Sequence, residues 1–509
     1  MLPRLSAGST PPTALSHRRG NLPTGIVHLG LGNFHRAHQA VHTAAALAAE
    51  DGPWGILGVA RGSTAVADAL REQDMRYAVV EISPAATRVS VPAVHTGALV
   101  AGHQPGEVVQ ALAAPATRII TLTVTEHGYT FDPRSGRLDR GHPDLAADLR
   151  DWSHRPAPRT TLGLLVRGLQ HRARSHGAPV TIMSCDNLIH NGQLTSRLIA
   201  EFVAELPPAE RDELEPYLNA VAFPDAMVDR IVPATTDAYR HTVAAQLGVR
   251  DAVPVPAEPF SMWVIENSFA AGRPAWERGG ALFTDDVGPY ELLKLRLLNG
   301  THSLIAYLGA LDGCATIPES IARRAIHGAA TSVLRDEYLP TVPVPPDIDL
   351  EQYVAQLFDR WSNSALAHRT RQVGSDGSVK LAQRVPAPAL THLKAGRVPH
   401  HLALTVAAYL CCMAPPEDFD PGPHATAMTD PARTVLAPFA ALPTRAFVTE
   451  ALGTGLLGSE LSAHDAFAER VAEFVDVLVR HGVAAAVHEA TDELSEPVST
   501  RWTAMRTRP

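Results

Sequence analysis

The stretch Gly25-Ile-Val-His-Leu-Gly-Leu-Gly-Asn-Phe-His-Arg-Ala-His-Gln39 decides how the first half of this chain folds. Its opening residues form a short apolar run that ends on glycine, as a buried strand does. From residue 31 the pattern suits a turn into a helix reaching residue 49. Gly30 and Gly32 stand where strand passes into helix, which lets backbone N–H groups approach a pyrophosphate. Leu31, Asn33 and Phe34 fall in the same candidate dinucleotide contact. His35 replaces the third glycine of a G-x-G-x-x-G pattern, so the motif alone fits an ordinary tight turn equally well.

Working outward, Trp54-Gly-Ile-Leu-Gly-Val59 reads as a second strand, followed by a helix over 65–72. Where many NAD-binding folds carry an acidic residue for the adenosine ribose, this chain has Ala60-Arg61-Gly62. Arg61 suits a 2′-phosphate or plain solvent, which leaves NADP open beside NAD. Two more apolar, β-branched strands, 118–124 and 179–184, are separated by a helix near 162–175. Strands alternating with helices imply a parallel sheet, whose ligands gather at the carboxyl ends of the strands. Thr125-Glu126-His-Gly-Tyr129 and Cys185-Asp-Asn-Leu-Ile-His-Asn191-Gly192 follow directly on these strands. Their Asn, Asp and Gly content equally favours turns.

Beyond residue 285 helical patterns dominate, at 291–308, 321–337, 350–361, 399–411 and 463–481. The chain therefore reads as α/β: a lead-in over 1–20, a Rossmann-type dinucleotide-binding domain with a parallel-rich sheet over 21–285, and a mainly helical domain over 286–509. At 509 residues it exceeds a single hydrophobic core.

In that second part, Glu291-Leu-Leu-Lys-Leu-Arg-Leu-Leu-Asn-Gly-Thr-His-Ser303 puts a lysine, an asparagine and a histidine on one helix. At about 100° per residue, Asn299 lies about 140° and His302 about 80° from Lys294. A lysine among leucines loses hydration, which disfavours its charged form and suits it to take a proton near neutral pH. Only three of the 44 basic residues are lysines, Lys294, Lys380 and Lys394, so an amine able to lose its proton is rare here. A solvated lysine, a capping asparagine and a core histidine would make the same pattern.

Composition narrows the classes. With 45% hydrophobic and 19% charged residues the chain suits a globular protein, and a net charge of −9 argues against nucleic acid or an anionic membrane as partner. No apolar run reaches membrane-spanning length. Four cysteines without metal or disulfide spacing suit the cytoplasm. The 24 histidines carry no HExxH and read as mostly surface or helix-end residues. A zinc hydrolase or zinc alcohol dehydrogenase lacks its ligand pattern, and no metal is expected. A non-catalytic dinucleotide sensor would have no use for Lys294.

Taken together, Gly30-x-Gly-x-Phe-His-Arg-Ala-His38, Val124-Thr-Glu-x-Gly-Tyr129, Ser184-Cys-Asp-Asn187 with Asn191-Gly192, Val228-Asp-Arg230, and Lys294-Leu-Arg-x-Leu-Asn299-x-x-His302-Ser resemble the mannitol dehydrogenase family of polyol-specific long-chain dehydrogenases. The resemblance implies a metal-independent NAD(P) oxidoreductase acting on a small sugar-derived molecule, with its active site between the two domains. It makes Lys294 the general acid/base, Asn191 and Asn299 the amides that hold the reacting oxygen, His302 and Asp229 substrate-positioning groups, and Glu291 a carboxylate on the proton path. Amide donors at a developing alkoxide take the role that zinc fills elsewhere.

Within the family, the mannitol 2-dehydrogenase branch has an arginine where Gln372 stands, eight residues before Lys380. His368-Arg369-Thr370, Gln372 and Asp376-Gly-Ser378 resemble the fructuronate reductase (mannonate dehydrogenase) branch instead. A hexuronate carries a carboxylate whose burial demands a cation, and Arg369 with Lys380 could provide it. The expected substrate pair is D-mannonate and D-fructuronate, or altronate and tagaturonate. Mannitol or arabinitol is the alternative.

Overall fold

The computed structural model describes residues 2–9, 22–132, 135–154, 157–366 and 368–492. The chain divides into two compact units, 1–288 and 289–509.

Unit one is built on six parallel strands: β1 (Thr24–Leu29), β2 (Gly55–Ala60), β3 (His95–Val100), β4 (Ile119–Leu122), β5 (Val180–Ser184) and β6 (Val221–Ala222). Their order across the sheet is β6-β5-β4-β1-β2-β3, the doubly wound arrangement whose strand order reverses beside β1. Side chains alternate across the sheet, so each strand feeds two cores. Ile26, Ile56, Ile119 and Met183 join one of them; Val27, Val59, Ile120 and Ile182 join the other. Burial on both faces is why these strands read as continuous apolar runs.

The expected helix after β1 is broken in two, α1 (Asn33–Ala37) and α2 (Gln39–Ala49), with His38 non-helical between them at φ −121° and ψ −86°. Helix α3 (Thr161–Ser175) leads into β5, and α4 (Asn191–Ala204) follows it. A second sheet packs β7 (Ala226–Asp229) antiparallel to β8 (Met262–Glu266), with β9 (Leu282–Thr284) parallel to β8. Residues 1 and 10–20 of the expected lead-in lie outside the described residues. The part that is described is tied down: Pro3 and Leu5 exchange backbone hydrogen bonds with Arg250, and Leu5 is fully buried.

Unit two is helical around one large apolar cluster. The helix expected over 291–308 is composite: α5 (Gly288–Leu293), a π-helix (Lys294–Gly300) and α6 (Thr301–Leu311). A second π segment, Val333–Tyr338, continues from Arg324–Ser332. The two π segments meet where a Cβ on Gly300 would lie 2.3 Å from Cζ of Tyr338, so only glycine fits there. Further helices are α7 (Thr370–Gly374), α8 (Gly377–Arg384), α9 (His400–Met413) and α10 (Asp465–Asp492).

Candidate active site

Unit one offers a nucleotide cradle at the carboxyl ends of its strands. Gly30, at φ +112°, passes so close to β4 that a Cβ would lie 2.0 Å from the Thr123 carbonyl oxygen. Beneath the turn, the Thr123 hydroxyl donates to the Gly30 carbonyl at 2.8 Å, and His28 Nε2 lies 3.0 Å from it. The N–H groups of Gly30 and Leu31 are spent on the Val59 carbonyl, and that of Gly32 on Gly30. The first-turn N–H groups of Asn33 and Phe34 are those a helix cannot satisfy itself. Arg36, almost fully buried, fixes the turn by donating to the Gly32 carbonyl and to Asn33 Oδ1.

Beside this turn lies a cavity of about 370 Å³, lined by Gly30, Ala60, Arg61, Gly62, Gly102, Thr123 and Thr125 among others. Gly30 at the strand end, open space at Gly62 and the exposed Arg61 suit a dinucleotide. Glu126 is exposed and opens a 3₁₀ turn. Thr125, at φ +62°, has its N–H held by the Asp186 carboxylate, which also accepts from Val124 N and the Tyr129 hydroxyl. Burial raises the proton affinity of Asp186, while these donors act to lower it. Asp186 therefore shapes the strand end, a role not readable from a turn-forming Cys-Asp-Asn.

Two expected site residues of this unit are built into its frame. Asn191 is fully buried; both hydrogens of its amide go to backbone carbonyls, Asp186 at 3.1 Å and Ala226 at 2.6 Å, while Oδ1 accepts from Ala226 N. Asp229 is buried at the end of β7. Its neighbour Arg230 binds the Ala37 carbonyl, the Glu258 carbonyl and the Glu81 carboxylate. The Val-Asp-Arg motif thus also ties β7 to the end of α1.

Most described histidines are exposed or half-exposed, but a group of five is not. His28, His35, His38, His42 and His95 are all buried in this unit. His28 stacks on His35 with centroids 3.5 Å apart, and His35 Nε2 lies 3.0 Å from His95 Nε2. Burial pulls His28 and His95 down to about 3 and His42 to about 4, so they stay neutral.

In unit two the π-helix rearranges the expected site. Its wider i→i+5 turn rotates each residue by less than the 100° of an α-helix. Asn299 therefore stands nearer to Lys294 than about 140° around, and His302, three α-helical residues later, is carried round with it. The three sit closer together than a plain α-helix allows. Lys294, Glu291 and His302 are each buried to all but 8%. The Asn299 amide is half-exposed and makes no hydrogen bond among the described residues, and His302 Nε2 is buried without a partner.

His302 lies edge-on to His368, centroids 5.2 Å apart, and His368 Nδ1 is buried without a partner as well. Burial holds the His302 imidazole well below its ordinary proton affinity, and His368, Arg384, Arg360 and Lys380 push the same way. Burial, then Lys380, lowers His368 to about 4. Two neutral imidazoles thus sit in a positive field. The Lys380 ammonium is anchored on the Val373 and Ser375 carbonyls. Arg369 and Gln372 are exposed at the start of α7, so the cations acting on His302 are Arg384, Arg360 and Lys380.

Among the described residues, no group of three or more His, Cys, Asp and Glu side chains is placed to hold a metal ion. All four cysteines are buried free thiols. No helix among those residues is long and apolar enough to cross a membrane.

Comparison with known proteins covers both units. Residues 24–278 match the family model for the mannitol dehydrogenase Rossmann domain, and residues 286–479 that for the mannitol dehydrogenase C-terminal domain. The chain is 40% identical to the D-mannonate oxidoreductase of Escherichia coli (strain K12) over 76% of its own length and 80% of that protein. It is 39% identical to the mannitol 2-dehydrogenase of Cereibacter sphaeroides, over 78% and 82%. Among solved structures, the Pseudomonas fluorescens mannitol 2-dehydrogenase in ternary complex with NAD and D-mannitol superposes with a TM-score of 0.83 at 32% identity, covering 97% of this chain and all of that one.

Proposed function

The chain belongs to the mannitol dehydrogenase family, and from that premise we propose that it interconverts D-mannonate and D-fructuronate, or the epimeric pair altronate and tagaturonate, with NAD. The observation that carries the substrate reading is the setting of His302: a buried, unpartnered Nε2 in the field of Arg384, Arg360 and Lys380. A substrate carboxylate is favoured by such a field, whereas a polyol gains nothing from it.

In the alcohol-oxidising direction the ε-amine of Lys294 accepts the hydroxyl proton, and in the reducing direction it returns one. The Asn299 amide donates to the oxygen as negative charge develops there. A neutral His302 offers a hydrogen bond without adding charge. Glu291, one helical turn before Lys294, is adjacent to it on the helix surface and suits proton exchange with water. The bound dinucleotide supplies the hydride acceptor. Asn191 serves as the second amide only if it releases a backbone carbonyl, and Asp229 is assigned to substrate positioning. Arg61, exposed beyond the end of β2 where no carboxylate stands, suits a 2′-phosphate, so NADP is the second cofactor to assay.

The relatives named for mannitol support a second reading, oxidation of mannitol to fructose. A spectrophotometric panel of mannonate, altronate, mannitol and arabinitol with each dinucleotide separates the two. A higher kcat/KM for either polyol than for both aldonates rejects the acid reading.

A further inference from the structure

The junction between the π-helix and α6 is held from outside by a residue invoked above only for its charge. Arg384 closes α8. Its Nη1 donates to the Asn299 carbonyl at 3.0 Å and to Ser303 Oγ at 2.7 Å. The Ser303 hydroxyl, itself buried, donates to the same carbonyl at 3.1 Å. In an uninterrupted α-helix this carbonyl would be the acceptor for residue 303 N–H. Here, where i→i+5 bonding gives way to i→i+4, two side-chain donors converge on it.

The other side of the junction is equally confined. Tyr338 presses on Gly300 so closely that no Cβ fits between them. Residue 299 therefore has a backbone gripped through its own carbonyl and a following residue that cannot shift towards Tyr338. The amide of the same residue is left open.

We propose that Arg384 is a positioning residue: through the Asn299 carbonyl and the Ser303 hydroxyl it locks the π-to-α junction in the rotation that aims the Asn299 amide at the reacting oxygen. This rests on the reading above that Asn299 is the donor to that oxygen. The helix rotation at residue 299 depends on a carbonyl contact made from a separate helix, so removing the guanidinium frees the amide direction while leaving the amide in place. The guanidinium reaches carbonyl and hydroxyl together; a lysine brings the charge with fewer fixed directions.

The test is a double-mutant cycle read by steady-state kinetics and by NADH affinity from fluorescence titration, using the full chain. Arg384→Met is expected to lower kcat by about 10- to 10²-fold, the cost of misplacing a reacting group by about an ångström. The NADH dissociation constant should change little, and so should KM for an uncharged polyol such as mannitol, whereas KM for an aldonate carries the added loss of the Arg384 charge. Arg384→Lys should recover part of the loss, and Ser303→Ala should lose less than Arg384→Met. In an Asn299→Ala background the Arg384→Met loss should nearly vanish, because both changes remove the same interaction. An undiminished loss in that background, or a wild-type kcat for Arg384→Met, overturns the proposal. If Arg384→Met fails to fold, Arg384→Lys and Ser303→Ala in the same two backgrounds decide by the same criterion. Full turnover by Asn299→Ala alone would instead remove the reading of Asn299 on which the proposal rests.

Discussion

Replacing Asn191 by alanine takes three hydrogen bonds from a site closed to solvent. The Ala226 N–H loses its acceptor at 3.0 Å, and the Ala226 and Asp186 carbonyls lose donors at 2.6 and 3.1 Å. An unsatisfied buried N–H costs about 1–3 kcal/mol, and the carbonyls, each with a second lone pair, cost less. The sum is about 2–5 kcal/mol, large for one substitution. It falls on the joint between α4 and β7, the strand that carries Asp229. Asn299→Ala touches no such frame, and its cost should appear in kcat, by about 10²–10³ for a lost oxyanion donor, with stability unchanged within about 0.5 kcal/mol. Urea unfolding beside steady-state kinetics on both variants makes the comparison. An Asn191→Ala protein as stable as wild type but slowed by about 10²-fold would refute the reasoning, and would assign that amide to the reacting oxygen.

Lys294→Ala should lower turnover by about 10²–10⁴ while NADH binding persists; near-normal turnover across pH would end its assignment as acid/base. Gly30→Ala forces a Cβ to within 2.0 Å of a carbonyl at φ +112°, so NADH affinity, read by fluorescence titration, should fall by at least about tenfold; an unchanged affinity would place the dinucleotide elsewhere. Acid should destabilise the protein through its buried histidines. The folded values of His28, His95 and His42, about 3, 3 and 4, lie below the unfolded 6.5, so between these limits the unfolded chain binds more protons. Their contribution is complete above pH 6.5 and is lost as pH falls towards 3, by about 1.4 kcal/mol per pH unit for each proton. A urea midpoint that stays flat from pH 7 to 4.5 would contradict this.

Much of unit one was legible because its strands are buried on both faces and stand out as apolar runs between glycine-bearing turns. Strand β3 was not, since His95-Thr-Gly-Ala-Leu-Val100 opens on a histidine and includes a glycine, and its pairing beside β2 is decided by tertiary contact. The Lys-Asn-His constellation was visible in spacing, but its geometry was not: a π-turn uses the same residue types as an α-helix, so a 100° projection misplaced Asn299. Residue type is equally silent on burial: a reading of the histidines as mostly surface groups does not single out His35 and His95, which tertiary packing closes off. The cations around His302 come from two separate helices, Arg360 from the one over Leu350–Trp361 and Lys380 with Arg384 from α8, and only the folded chain shows that these, with Arg369 exposed, act on it.

The π segment also bears on how this chain tolerates changes of length. A π-turn takes up one residue more than the α-turn it replaces, so the helix beyond it keeps the phase it would have with one residue fewer. Deleting a single leucine between Lys294 and Asn299 would let the helix close into regular α geometry with Asn299 about 40° and His302 about 20° from Lys294, all three still on one side. Deleting a second leucine, with no π-turn left to take up the difference, would rotate everything downstream by about 100°. Substitutions among these leucines are repacking problems that a core can absorb, whereas a change in length beyond what the π-turn takes up is a rotation that no neighbouring side chain can undo.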